Sequence, residues 1–308
     1  MIASDAPPRL DRQAGAARAL RQRPAVGYGL LAPAMALVTG ILVFPVIFGM
    51  YESLFETRRG RRLGFVGFGN YRELLGDGDF WSSSLKSLGF VVGCVTVGTV
   101  LALFFAAALY RVSRGLRLLR GLSIMPWLLS SIGAAVLFRM LFNTDYGLPN
   151  RFLALFGIDG PSWLGSPLLA MIVVVLAQVW GDLPLSMLVI LGGFVALDQS
   201  QMDAALVDGA TGWQRFRFVG FPHIAPQVAL SAVLLSYHAL TSLGILLGLT
   251  GGGPGTATET LSLMLYRIAF RQLDYGTSLA LMVVILVFNG LLTIGYVRLA
   301  RRFGATTE

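Results

Sequence analysis

Few side chains in this 308-residue sequence can do chemistry, and they lie in unusual places. Asp182 stands inside a long apolar stretch with Gln178 and Trp180 close by. A carboxylate and an amide hydrogen-bond hydroxyl groups, and an indole stacks on an apolar ring face, so this trio suits a sugar-like ligand. An unpaired acid at membrane depth costs about 3 kcal/mol, which makes such a residue a candidate functional group. The competing readings of Asp182 are a place near one end of a tilted helix, or a structural ion pair with Arg139 or Lys86. Tyr237, His238 and Asn289 are the other polar residues in apolar stretches that suit a solute path. Ordinary interhelical hydrogen bonds would account for them equally well.

Other chemistries are excluded by counting. Cys94 is the single cysteine, so there is neither a disulfide framework nor a thiolate cluster. His223 and His238 are the only histidines and lie apart in sequence; His223, between two prolines, reads as a structural or interfacial residue. Lys86 is the single lysine and follows Leu85, so the phosphate-binding pattern G-x-x-x-x-G-K-[ST] cannot occur. G-x-G-x-x-G, H-E-x-x-H and G-x-S-x-G are absent too. Any nucleotide energy must therefore be supplied by another chain. An intramembrane serine hydrolase would have to rely on His238, and a self-sufficient ion-coupled transporter on Asp182.

The elements that position these residues follow from composition. Hydrophobic residues make up 55% of the chain and charged ones only 13%, with mean hydropathy +0.71. Soluble domains carry about 25% charged residues, so this chain cannot solvate a globular surface. Crossing a hydrocarbon layer about 30 Å thick takes about 20 apolar residues in a helix. Six stretches qualify: 28–51, 88–110, 121–142, 168–195, 228–249 and 278–297. The sequence thus predicts an all-α, six-span membrane protein whose first span is retained, not cleaved.

Basic residues orient the spans. The N-terminal arm (1–27) carries Arg9, Arg12, Arg18, Arg21 and Arg23. Segment 111–120 carries Arg111, Arg114, Arg117 and Arg120, and the tail (298–308) carries Arg298, Arg301 and Arg302. With six spans these three segments and the loop 196–227 share one side, predicted to be the cytoplasm. The loops 52–87, 143–167 and 250–277 then lie outside. Arg58, Arg59, Arg61 and Arg62 in the first of them oppose this assignment and are outweighed. Arg139 reads as a snorkelling residue. The formal charge of +8 encodes orientation in the membrane and gives no reason to expect nucleic acid.

The loop 196–227 is patterned like structure. Ser200 with Asp203 fits a capping box, and Asp198 with Gln201 offers a second register. Helix formers follow, then Gly209 at a position suited to a left-handed C-terminal turn. Thr211 with Gln214 forms another capping box, opening a short helix that bears Trp213 and Phe216 and is expected to end at Pro222. The product is a helix, a glycine turn and a helix with too few apolar residues for a core, so a partner surface is required.

The stretch Asp203-Ala-Ala-Leu-Val-Asp-Gly-Ala210, with Pro222 thirteen residues after Gly209, resembles the EAA loop of ABC importer permeases. The wider chain resembles the maltose-type carbohydrate-uptake permeases. The likeness rests on Phe65-Val-Gly-Phe-Gly-Asn-Tyr71, Phe80-Trp81, Met125-Pro-Trp127, Leu249-Thr-Gly-Gly-Gly-Pro254, Thr258-Glu-Thr260, Tyr266-Arg267 and Ala269-Phe270. This resemblance implies the type I importer permease fold in a bacterial or archaeal cytoplasmic membrane. It implies a second homologous permease, two ATPase subunits holding ATP and magnesium, and an external substrate-binding protein or lipoprotein. This chain itself would be no enzyme and hold no cofactor or metal. The cargo would be a carbohydrate or, as the alternative, a glycerol phosphate or another polar solute. Asp203, Ala204, Ala205, Asp208, Gly209, Ala210, Trp213, Phe216 and Pro222 would form the coupling loop that docks on the ATPase. Gly209 would make its turn, and the alanines would permit close approach. Asp203 stands where the family usually has glutamate, one methylene longer.

Overall fold

The structure, a computed structural model, describes residues 24–111 and 117–304. The arginines of the N-terminal arm, Arg114 with its neighbours in 112–116, and the last four residues lie outside these. The chain divides into two compact units at Ser53/Leu54.

The first unit is one long helical segment. Helix α1 (Pro24–Val38) passes through a π turn at Thr39–Val43 into α2 (Phe44–Glu52). Pro45 directly follows this π turn, in which Phe44 N–H bonds to Thr39 O.

The second unit opens with a hairpin of β1 (Phe55–Arg58) and β2 (Arg61–Phe65), a feature the sequence reading did not foresee. Arg59 and Gly60 form its tip, both at positive φ (50° and 76°), the backbone that matches strand twist in a two-residue turn. Phe55 and Phe65 pair across the strands with ring centroids 5.3 Å apart. Helix α3 (Gly69–Gly76) follows, then the 34-residue α4 (Gly78–Arg111).

Expectation and structure part company in the next segment. Residues 121–142 are not one helix: α5 (Arg117–Leu128) and α6 (Ser131–Leu141) are separated by a break. Ser130 takes extended backbone there and its hydroxyl accepts from Gly133 N–H at 3.1 Å, capping α6. An apolar count cannot see such a break, because the residues on both sides of it are hydrophobic. Helix α7 (Leu148–Ala154) lies in an ordered connection in which Asn150 binds the carbonyls of Thr144 and Pro161 and accepts from Trp163 Nε1–H at 2.6 Å.

Helix α8 (Pro167–Val195) is the packing centre, buried along most of its length against α4. Then come α9 (Gln199–Val207) and α10 (Gly212–Arg215), which runs through a π turn at Phe216–Gly220 into α11 (Phe221–Thr241). The helix is continuous from Gly212 to Thr241. Pro222 therefore does not end a helix as expected. It sits in the first turn of α11, where the π register has already shifted the ladder, with Phe221 N–H bonded to Phe216 O. The predicted span 228–249 is likewise broken, α11 stopping at Thr241 and α12 (Gly244–Leu249) restarting three residues on.

Residues 250–274 fold back onto the core. Gly251, Gly252 and Gly255 take positive φ, the Gly253–Pro254 peptide is cis, and Thr258 Oγ1 donates to Gly253 O at 2.9 Å. Helix α13 (Leu261–Tyr266) and a π turn at Arg267–Arg271 then bury Leu261, Met264 and Ile268 in the main cluster. Arg267 Nε lies 2.7 Å from Glu259 Oε1 beside them. Helix α14 (Tyr275–Gly304) closes the chain against α11. Among the described residues, five helical stretches of 22 to 33 residues are long and apolar enough to cross a membrane. The predicted span 121–142 is not among them; within it Ser131–Leu141 is a shorter apolar helix.

Candidate functional site

The two helix breaks meet. Small residues bring α12 against α6: Gly244 and Gly248 are four apart, so both face one side of the helix, the spacing at which helices pack closely. A Cβ added at Gly248 would lie 2.8 Å from the Ala135 Cβ, and one at Gly244 would collide with Ser131. Beside this crossing lies a cavity of about 400 Å³, inside the range typical of small-molecule sites. Pro126, Trp127, Leu129 and Ser131 line it from the first break, and Thr241, Ser242, Leu243 and Gly244 from the second. Helix α8 contributes Gln178, Gly181 and Asp182, and α11 contributes His238.

A chain of hydrogen bonds organises the polar wall. His238 Nδ1–H donates to Asp182 Oδ1 at 2.8 Å, and Gln178 Nε2–H donates to Asp182 Oδ2 at 2.7 Å. Ser242 Oγ–H donates to Gln178 Oε1 at 2.6 Å, and Ser262 Oγ–H to Ser242 O at 2.6 Å. The network thus ties α8 to α11 and fixes the carbonyl freed where α11 ends. Asp182 is 8% exposed and has both oxygens bonded, so the high cost of an unpaired buried carboxylate is met. Neither Arg139 nor Lys86 is its partner. Lys86 Nζ instead donates to Thr256 Oγ1 at 3.2 Å.

Of the six predicted pathway residues, Gln178, Asp182 and His238 come together here and the other three do not. Trp180 packs on Phe138, with ring centroids 5.6 Å apart, as part of the main core. Tyr237 is 52% exposed and does not line the cavity. Asn289 lies on α14, where its carbonyl accepts from Thr293 Oγ1, and does not line the cavity. Sequence reasoning missed Trp127, Ser131, Thr241 and Ser242. Their only local signal was polar or proline residues interrupting apolar runs.

The loop predicted to couple the protein to a partner is built as a compact unit. Asp198, not Ser200, caps α9. Its carboxylate accepts from Ser200 N–H at 2.9 Å, and this bond holds the Asp198 carboxyl below the usual carboxylate range. The second of the two registers is therefore the real one. At the other end Gly209 has φ +80°, with Gly209 N–H bonded to Leu206 O and Ala210 N–H to Ala205 O, both at 3.0 Å. This is the double bond pattern of a left-handed helix stop. Thr211 and Gln214 make the reciprocal capping box as predicted.

Phe216 is half-buried against a core cluster that includes residues of α4, α8 and α11, with its ring beside those of Trp213 and Phe221. Val207 (87% exposed), Trp213 (70%) and Phe218 (70%) are left uncovered. A groove of about 620 Å³ runs between α9 and the π turn, lined by Ala204, Ala205, Asp208, Phe218 and His223. Asp203 is exposed, 3.5 Å from Gln199 Nε2 on the same helix.

Long apolar helices, a polar cavity where two broken helices meet, and a structured loop with uncovered apolar residues define a multi-pass permease subunit. The sequence profile of the binding-protein-dependent transport system inner membrane components matches residues 98–305, and the chain belongs to that family. The trehalose/maltose transport system permease protein MalF of Thermococcus litoralis is 32% identical over 277 residues, covering 90% of this chain and 94% of that protein. The sn-glycerol-3-phosphate transport system permease protein UgpA of Rhizobium meliloti is 32% identical over 265 residues, covering 84% and 89%. A permease chain of a bacterial ABC transporter that imports the acidic polysaccharide alginate shares the fold at TM-score 0.76 and 19% identity, covering 92% of this chain and 98% of that one.

Proposed function

We propose that this chain is a carbohydrate-translocating permease of an ABC importer and that the cavity between the two helix breaks is part of the cargo's path. The observation that carries the reading is the Asp182–His238–Gln178–Ser242 network at that cavity. Discontinuous helices with polar groups are the usual way a transporter places a hydrophilic site inside a bilayer. The loop of α9 and α10 docks on the ATPase through Val207, Trp213 and the groove beside them. The α5–α6 pair completes a sixth crossing, and both termini face the cytoplasm. A second homologous permease faces this one, two ATPase subunits bind ATP and magnesium, and an external binding protein delivers the sugar. Closure of the ATPases moves the docked loops as rigid bodies and biases the permease pair between its two access states. The glycerol phosphate relative supports a second reading in which the same machinery moves an anionic polyol.

The cavity can be filled without disturbing the fold. A Cβ at Gly181 meets nothing within 4 Å, and Gly181 lines the cavity. In proteoliposomes holding the full importer and its binding protein, Gly181→Phe is expected to cut ATP-dependent uptake of the sugar at least tenfold. Co-purification with the ATPase should persist. Uptake at the unaltered rate would remove the cavity from the path.

A further inference from the structure

The cavity is notable for the charge it lacks. The chain carries 24 arginines and lysines, yet among the described residues none lines this cavity. Its one acid–base pair is Asp182 with His238. A carboxylate and an imidazole sharing a bond sum to zero or to minus one, never to a positive charge. The remaining polar groups are neutral: the Gln178 amide, the hydroxyls of Ser131, Thr241 and Ser242, and the Trp127 ring. Phosphate and carboxylate ligands are recognised by guanidinium or ammonium groups, or by rows of backbone N–H. The cavity wall offers neutral donors and acceptors and an aromatic face, the chemistry of a hydroxyl-rich, uncharged ligand.

We infer that Asp182 is a charge filter: the cavity accepts neutral saccharides and rejects phosphorylated or acidic ones. This rests on the cavity being the cargo's path and deepens that reading, since relatives of this chain include systems named for both neutral and anionic cargo. Gln178 and His238 act as positioning residues, holding the carboxylate where its charge faces the cavity.

The test uses matched pairs on the assembled importer in nanodiscs without its binding protein: maltose against maltose 6′-phosphate, and trehalose against trehalose 6-phosphate. Equilibrium binding is measured at low salt. The neutral member is expected to bind at least tenfold more tightly, and Asp182→Asn to reduce the ratio of the two dissociation constants at least tenfold. A second variant guards against misfolding of the first. Thr241 is exposed at the cavity rim, and Thr241→Arg should raise affinity for the phosphorylated sugars at least tenfold. Equal or tighter binding of the phosphorylated sugars by the unaltered protein would overturn the filter while leaving the path intact. A ratio unmoved by both variants would also overturn it. Saturable binding of neither sugar class would overturn the path itself.

Discussion

Gly209 offers the sharpest test of how the loop works, because the structure separates two reasons for a glycine there. Its φ of +80° is a conformation that costs an ordinary L-residue about 1–2 kcal/mol, whereas a Cβ added at the position meets nothing within 4 Å. Within this chain the requirement is therefore torsional, not steric. Gly209→Ala should weaken the closed turn about five- to thirtyfold relative to opened states, since about 1.4 kcal/mol is a factor of ten. Asparagine tolerates the left-handed region better than alanine, so Gly209→Asn should lie between glycine and alanine although its side chain is larger. Gly209→Arg adds the same strain and a long charged side chain on an exposed face. The assays are uptake by proteoliposomes and ATP hydrolysis stimulated by the loaded binding protein, with membrane yield as the control for insertion. Activity should rank glycine, asparagine, alanine, arginine at unchanged yield. If alanine outperforms asparagine, side-chain volume against the partner governs the position and the torsional argument is refuted. Full uptake by the arginine variant would remove the loop from coupling altogether.

The crossing of α6 and α12 should be equally discriminating. Gly248→Leu places atoms inside the Ala135 contact, and overpacking of this kind costs about 1–3 kcal/mol. The thermal midpoint of the purified importer should fall by several degrees, and Ala135→Gly should recover part of the loss; an unchanged midpoint would show that the helices are not packed as described. The cap of α9 carries a pH dependence of definite sign. Its carboxyl is held below the usual range by the Ser200 N–H, so its stabilisation is complete above the unfolded aspartate value near ~3.9. That stabilisation is lost as pH falls through the lower folded value. Hydrogen exchange at residues 199–202 should accelerate as pH drops through that window after correction for intrinsic rates, and Asp198→Asn should abolish the extra acceleration.

What the sequence makes legible here is what neighbouring residues decide. The Thr211–Gln214 capping box and the left-handed Gly209 each depend on a few adjacent side chains, and each stands where it was read, whereas two of the six apolar stretches, 121–142 and 228–249, are broken. The cap of α9 shows the limit of that logic, since Asp198 and Ser200 both offer acceptable geometry and only the bond to Ser200 N–H decides. Pro222 was read as a helix end because proline removes an N–H, but the π turn before it had already re-registered the carbonyls. The breaks at 129–130 and 242–243 carry only a weak local signal, Ser130 and Ser131 at one and Thr241 and Ser242 at the other, inside otherwise apolar runs. The first is closed locally by the Ser130 cap on Gly133 N–H, and the second is held by a tertiary bond from Ser242 to Gln178, 64 residues away. The Asp182–His238 pair spans 56 residues, so each residue could be nominated alone but not joined to the other.

The geometry makes one demand on any account of coupling. A single helix, unbroken from Gly212 to Thr241, begins two residues after Ala210 in the glycine turn and bears His238 one turn before its far end. At 1.5 Å per residue its 30 residues reach about 45 Å, so a small tilt imposed at the loop becomes a displacement of several ångströms at the cavity. His238 is bonded to Asp182 on α8, and Ser242, just past the helix end, is bonded to Gln178 on the same helix. Either α8 and α11 move together, carrying the cavity wall intact, or the tilt pulls His238 off Asp182 and leaves a buried carboxylate without one of its partners. The second outcome costs several kcal/mol unless a cargo hydroxyl takes the vacated oxygen. On the proposed reading, empty and loaded cavities would then respond differently to the same push, because only a loaded one can replace the lost bond to Asp182.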